Sequence, residues 1–187
     1  MSLTRASRSS GSSPLPRVGP RVVLRRLSTA DLANFQAYRQ DEAVGRYQDW
    51  RPQPDLQALA FLEEMSHAFL FPPGEWVQLG IADRHTNVLI GDIGVCVAAD
   101  GEKAEIGFTL CAQSQGNGLG TEAVIEAIAL LFQHTAVAQI VGITDARNLP
   151  AIHLLERAGM RRVSTVSSVF RGAPCVEHVY ALSRQAR

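Results

Sequence analysis

The stretch Ser114-Gln115-Gly116-Asn117-Gly118-Leu119-Gly120-Thr121-Glu122-Ala123-Val124 sets three glycines at alternate positions just before the apolar run VIEAIALLF (124–132). Upstream lies AEIGFTLC (104–111), a run of apolar and β-forming residues that reads as a strand. A strand, a glycine-rich turn and a helix N-terminus together make an anion site. The first N–H groups of a helix have no intrahelical partner, and the helix dipole favours negative charge there. Glycines also let a ligand approach the backbone closely. A phosphate or pyrophosphate is the occupant this grammar favours. A plain tight turn is the bland alternative.

Two common phosphate loops are excluded by their own spelling. The P-loop needs a lysine after its last glycine, and none stands here. The dinucleotide fingerprint GxGxxG fails from Gly116, where its third glycine would be Thr121, and fails again from Gly118. The turn also follows a run of strands, not the first strand of a doubly wound sheet.

Working outward, QIVGITDA (139–146) reads as a strand and NLPAIHLLERAGM (148–160) as a short helix, with Asn148 as N-cap and Gly159 as its stop. RVVLRRL (21–27) reads as a strand, and Ser28 or Thr29 caps a helix running to about Arg39. A second helix is expected over 55–70. EWVQLGIAD (75–83), NVLIGDIGVCVAA (87–99) and the strand at 104–111 form a meander of three. MRRVSTVSSVF (160–170) and CVEHVYALS (175–183) close the chain as a hairpin about Gly172-Ala173-Pro174. The expected class is α/β: a mixed, mostly antiparallel central sheet flanked by helices, with one parallel strand–helix–strand crossover.

The 187 residues suit one domain spanning 21–187, preceded by a tail over 1–20. That tail is rich in Ser, Arg, Pro and Gly and is expected to be disordered. Its composition resembles an organelle transit peptide, but a flexible tail on a cytoplasmic protein is the reading adopted. The net charge is zero, yet residues 1–30 hold six arginines and no acid, so residues 31–187 carry −6. An acidic body argues against a nucleic-acid partner. No apolar run is long enough to span a membrane. Three cysteines without a CxxC pair, and five scattered histidines, give neither a disulfide framework nor a metal site.

The pattern Gln115-Gly116-Asn117-Gly118-Leu119-Gly120, with AEIGFTL before it and TEAV, DARN and HLLERAGM after it, resembles the GNAT acetyltransferases. The likeness extends over about residues 21–184. VLRRLSTADL and the pair GEWVQLGI and LIGDIGV look closest to the subgroup named after ribosomal-protein N-terminal acetyltransferases. The resemblance implies acetyl-CoA as acetyl donor and a GNAT fold. It implies pyrophosphate against the main chain of Gly116, Asn117, Gly118, Leu119, Gly120 and Thr121, with Gln115 beside it. It places the pantetheine arm along Phe108, Thr109 and Leu110, in the gap where strands 104–111 and 139–146 splay, with Asn148 touching it.

The implied chemistry is direct attack of a primary amine on the thioester. The amine belongs to a protein N-terminus or a small molecule, and the enzyme is expected as a monomer or homodimer. Glu105 occupies a position that carries a glutamate base in some members. A main-chain N–H near Leu110 is the implied oxyanion donor. Many members carry a tyrosine acid where this chain has Leu155; Tyr180 and Ser168 are the substitutes on offer, and His178 shares a strand face with Tyr180. Tyr47, Trp50 and Trp76 are expected to wall the acceptor pocket, with Asp92 as an acid for a cationic amine. The missing tyrosine leaves a noncatalytic acetyl-CoA-binding module as the rival reading.

Overall fold

The computed structural model describes residues 13–185. Eight strands form one sheet: β1 (Arg17–Val18), β2 (Val22–Arg26), β3 (Trp76–Asp83), β4 (Leu89–Val97), β5 (Lys103–Leu110), β6 (Gln139–Asp145), β7 (Arg161–Phe170) and β8 (Ala173–Ser183). Five α-helices cover it: α1 (Leu32–Arg39), α2 (Glu42–Gly45), α3 (Asp55–His67), α4 (Leu119–His134) and α5 (Leu149–Arg157). The spatial order is β1-β2-β3-β4-β5-β6-β8-β7. Among the described strands, only β5 and β6 pair in parallel. The α/β mixed sheet expected from the sequence is therefore present.

Helix α4 carries apolar residues at the three- and four-residue spacing of one face. Ala123, Val124, Ala127, Ile128, Leu130 and Leu131 are buried against the sheet. Its core joins β2 through β6 and α5. On the other face, α1 and α3 make a smaller core of Leu27, Phe35, Tyr38, Ala58, Leu62, Met65 and Leu89. That second layer stops short of β6, β8 and β7, where Ile143, Val166 and Val176 stay exposed. Strand β4 reads as a nearly unbroken apolar run because both of its faces are covered.

Several boundaries differ from the sequence reading. Residues 1–12 of the expected disordered tail lie outside the described residues. From residue 13 on, the expectation is overturned: β1 pairs with Val23 and Leu24, and Leu15 is only 7% exposed in the main core. The cause is a single apolar side chain backed by the Arg17–Glu126 ion pair, contacts that composition averages away. The helix expected from residue 28 begins as a 3-10 turn over 29–31, held by the Asp31 carboxylate accepting the Ser28 N–H at 2.9 Å. Helix α3 ends at His67, short of residue 70. The last hairpin turns at Arg171-Gly172, one residue earlier than expected.

Candidate functional site

Strands β5 and β6 pair only from Lys103↔Gln139 to Glu105↔Val141. Beyond that they part, because β6 continues along β8 as far as Asp145↔Glu177. The far half of β5 keeps its β4 partner, down to Gly91↔Leu110. Cys111 donates its N–H to Ile90. By the alternation of an antiparallel ladder, Phe108 and Leu110 turn their N–H and C=O groups the other way, into the gap left by β6. Their carbonyls are taken: Gln48 Nε2 donates to Phe108 at 3.1 Å, and Gln115 Nε2 donates to Leu110 at 2.9 Å. The two N–H groups are left facing the gap.

The glycine turn closes one end of this gap. Gly116 and Gly118 have φ of 78° and 79°, a left-handed conformation that disfavours any side chain. Gly118 caps α4 with no side-chain hydrogen bond, and the first N–H bonded inside the helix is that of Glu122, to Gly118. The N–H groups of Leu119, Gly120 and Thr121 therefore have no helical partner. A Cβ on Gly120 would lie 2.7 Å from Leu154 Cδ1, so glycine there lets α4 and α5 meet. Asn148 caps α5, its Oδ1 accepting from the Ala151 N–H at 3.4 Å.

Together these groups line a pocket of about 530 Å³. Phe108, Thr109 and Leu110 form one wall, Gln115, Gly116, Gly118, Gly120 and Thr121 the end, and Asn148, Leu149, Ala151 and Leu154 the opposite wall, while the side chains of Asn117 and Leu119 do not line it. Tyr47 and Gln48 close the near side. Gln48 went unnoticed in the sequence, where a glutamine in an irregular stretch carries no signal. Arg171, at the tip of the β7–β8 hairpin, was missed too. Its Nη2 donates to the carbonyls of Gly45 (3.1 Å) and Gln48 (2.9 Å), which ties the hairpin to the loop carrying Tyr47 and Trp50.

Glu105 lies on the other face of β5, away from α4 and beside the uncovered half of the sheet. Burial pushes its carboxyl above the usual range, and the Asp49 and Glu177 carboxylates push it further the same way. Among the described residues no cation forms an ion pair with it. Trp76 shares a cross-strand row with it through Cys96, about 10 Å away over two strand spacings. Trp76 is 49% exposed. Trp50 is half-buried; its Nε1 donates to Thr109 Oγ1 at 3.3 Å, and the Arg39 guanidinium lies 4.4 Å from its ring.

Asp92 corrects the expectation of a substrate acid. It is 1% exposed beneath α1, where it accepts from Tyr38 Oη (2.5 Å), Arg39 Nη2 (2.7 Å) and Gln78 Nε2 (3.0 Å). Burial, then the Asp92 carboxylate, raises the Tyr38 phenol well above its ordinary value, so it stays a donor. The substitute acids are also placed elsewhere. Tyr180 is buried in the main core and donates to Glu156 at 3.1 Å. His178 contacts Thr165 and Arg162 on the hairpin, and Ser168 lies near the hairpin tip. Leu155 is 0% exposed, packed against Gly142.

Comparison with known proteins points the same way. The family model for the acetyltransferase (GNAT) domain matches residues 21–161. An uncharacterized N-acetyltransferase, YoaA of Bacillus subtilis (strain 168), is 24% identical over 166 residues, covering 87% of this chain and 93% of that protein. A candidate ribosomal-protein-serine acetyltransferase of Vibrio cholerae superposes with a TM-score of 0.74 at 22% identity, over 89% of this chain and 96% of that one. A spermidine N-acetyltransferase from Vibrio cholerae, solved with CoA and spermine, superposes with a TM-score of 0.72 at 18% identity, over 88% and 96%. The chain belongs to the GNAT acetyltransferase family, N-acetyltransferases whose acetyl donor is acetyl-CoA.

Proposed function

We propose that this protein acetylates a primary amine, with acetyl-CoA seated in the gap between β5 and β6. One observation carries the reading: unpartnered N–H groups on the β5 edge meet a second unpartnered set at the head of α4, within one pocket. Gly116, Asn117, Gly118, Leu119, Gly120 and Thr121 would hold the diphosphate by main chain, while Gln115 fastens the turn to Leu110. The free Phe108 N–H would donate to a pantetheine amide, and the free Leu110 N–H is left for the thioester. Thr109 holds Trp50 in place, and Asn148 lines the opposite wall.

When bound, acetyl-CoA supplies an acetyl group activated as a thioester. The Leu110 N–H would donate to the carbonyl oxygen as negative charge develops there. The acceptor enters over the uncovered half of the sheet, between the loop carrying Tyr47 and Trp50 and the latched β7–β8 hairpin, with Trp76 at the outer edge. Glu105 takes the proton that the attacking amine gives up through a relay of water, since it lies five residues before Leu110 along β5. Its raised pKa brings it closer to the range useful for a base at neutral pH. A thiol is acidic enough to leave largely as thiolate, so it needs no strong acid, which fits leucine at position 155.

The acceptor is proposed to be a protein N-terminus, on the subgroup resemblance. An α-amine of pKa about 8 makes little demand on a base. The carboxylates of Asp49, Glu105 and Glu177 also suit an approaching ammonium group. The test has two stages. Acetyl-CoA or CoA, added singly, should raise the melting temperature where NAD and ATP do not. Mass spectrometry should then detect acetyl transfer to peptides with free N-termini in preference to spermidine. Absence of any shift with both CoA forms would end the reading. A shift without transfer to any amine would favour the noncatalytic module.

Glu105→Gln should slow transfer with CoA affinity unchanged. The wild-type rate should rise with pH through the elevated Glu105 pKa, and the variant should lose that limb. A flat ratio of the two rates across pH would remove Glu105 as base. The stability effect has a definite sign. The folded state holds this proton more tightly than the unfolded chain, so the group's contribution falls as pH rises from the ordinary glutamate value through the elevated one. Melting at pH 7 should therefore find the glutamine variant at least as stable as wild type.

A further inference from the structure

Arg21, just before β2, reaches the glycine turn without lining the pocket. Its Nε donates to Glu122 Oε2 at 2.9 Å and its Nη1 to the Asn117 carbonyl at 2.9 Å. Its Nη2 lies 3.4 Å from where a Cβ on Gly118 would stand. Glu122 sits in the first turn of α4, and its Oε1 accepts the N–H groups of Arg21 (2.5 Å) and Val22 (3.0 Å). Partial burial works to raise the Glu122 pKa, but these N–H groups and the Arg21 guanidinium hold it below the ordinary value. Glu122 is thus an ionised carboxylate at the helix end that is to receive a diphosphate.

A peptide unit is planar and trans, so its C=O and the N–H that follows point in opposite directions. Holding the Asn117 carbonyl toward Arg21 therefore aims the Gly118 N–H away from Arg21, and Gly118 lines the pocket where Arg21 does not. With glycine on both sides of Asn117, that peptide plane would otherwise be free to turn over. We propose that Arg21 is a positioning residue for the diphosphate of acetyl-CoA, fixing the Asn117–Gly118 peptide and neutralising Glu122 beside it. The inference rests on the assignment of acetyl-CoA to the glycine turn.

The test compares binding of CoA with binding of pantetheine, which lacks the phosphates, by calorimetry. Arg21→Met should weaken CoA on the order of tenfold, the scale of a lost charged hydrogen bond. Pantetheine affinity should not change. Arg21→Lys keeps the charge but cannot span both Asn117 and Glu122, so it should fall between the two; it also carries the test if the methionine variant fails to fold. Adding Glu122→Gln to Arg21→Met should recover part of the lost CoA affinity, a rescue that a merely structural role would not give. Unchanged CoA affinity in Arg21→Met, an equal loss for both ligands, or no rescue in the double variant would each overturn the inference. Failure of the wild-type protein to bind CoA would instead remove the acetyl-CoA assignment itself, and the inference with it.

Discussion

Gly118→Glu is expected to weaken CoA binding about 100-fold or more, since a like charge beside a bound anion costs several kcal/mol. Two effects combine. Gly118 has a φ of 79°, where a residue with a Cβ is strained by about 1–2 kcal/mol. The new carboxylate would also stand at the turn proposed to hold the diphosphate, within reach of Arg21. Pairing with Arg21 would draw that guanidinium from Glu122 and still leave added negative charge beside the ligand. Gly118→Ala separates the two effects, because it carries the strain without the charge. Calorimetry should give alanine a modest loss of CoA affinity and glutamate a nearly complete one. Equal affinities for wild type and Gly118→Glu would dislodge the diphosphate from this turn.

Asp92→Ala is expected to destabilise the fold by about 3–5 kcal/mol, because it leaves a buried cation without its partner. The carboxylate accepts from Tyr38, Arg39 and Gln78, and Arg39 Nε already has no hydrogen-bond partner in the interior. The Arg39 guanidinium sits over the rings of Phe35 and Trp50, which offsets part of its burial but not the loss of the counter-charge. For a chain of this size the melting temperature should fall by roughly 10 °C. Urea unfolding of Asp92→Ala and of Asp92→Leu combined with Arg39→Met provides the check. The double variant should recover much of the loss, because an apolar pair can replace a buried ion pair at little net cost. A loss under about 1 kcal/mol in the single variant would show that the pair is not a buried structural unit. Trp50 leans on Arg39, so the alanine variant should also loosen one wall of the proposed acceptor channel.

The glycine turn was legible in the sequence because its geometry is local. Positive φ at Gly116 and Gly118 and a close helix–helix approach at Gly120 leave a glycine signature that needs no tertiary knowledge. The caps at Ser28 and Asn148, the three-strand meander and the apolar face of α4 are local in the same sense. Boundaries were read less well where a long-range contact decides them. Leu15 and Arg17 order a segment whose composition reads as tail, because they find the core and Glu126, 109 residues further along.

What the sequence by itself determined is the chemistry of short spans: a glycine turn suited to phosphate, an α/β alternation, and a glutamate on the strand leading into that turn. Only the tertiary structure decided which groups are free to act. Asp92 and Glu105 are both acids on central strands of similar wording. Asp92 became a buried structural ion because α1 covers its face of the sheet and delivers Tyr38 and Arg39 to it. Glu105 kept an open side because that helical layer ends before β6. Likewise no local pattern indicates that Gln48 would take the Phe108 carbonyl, or that Arg171 would fasten a hairpin to a loop more than 120 residues earlier. Those contacts depend on which elements become neighbours, and the pairing of distant strands sets that arrangement.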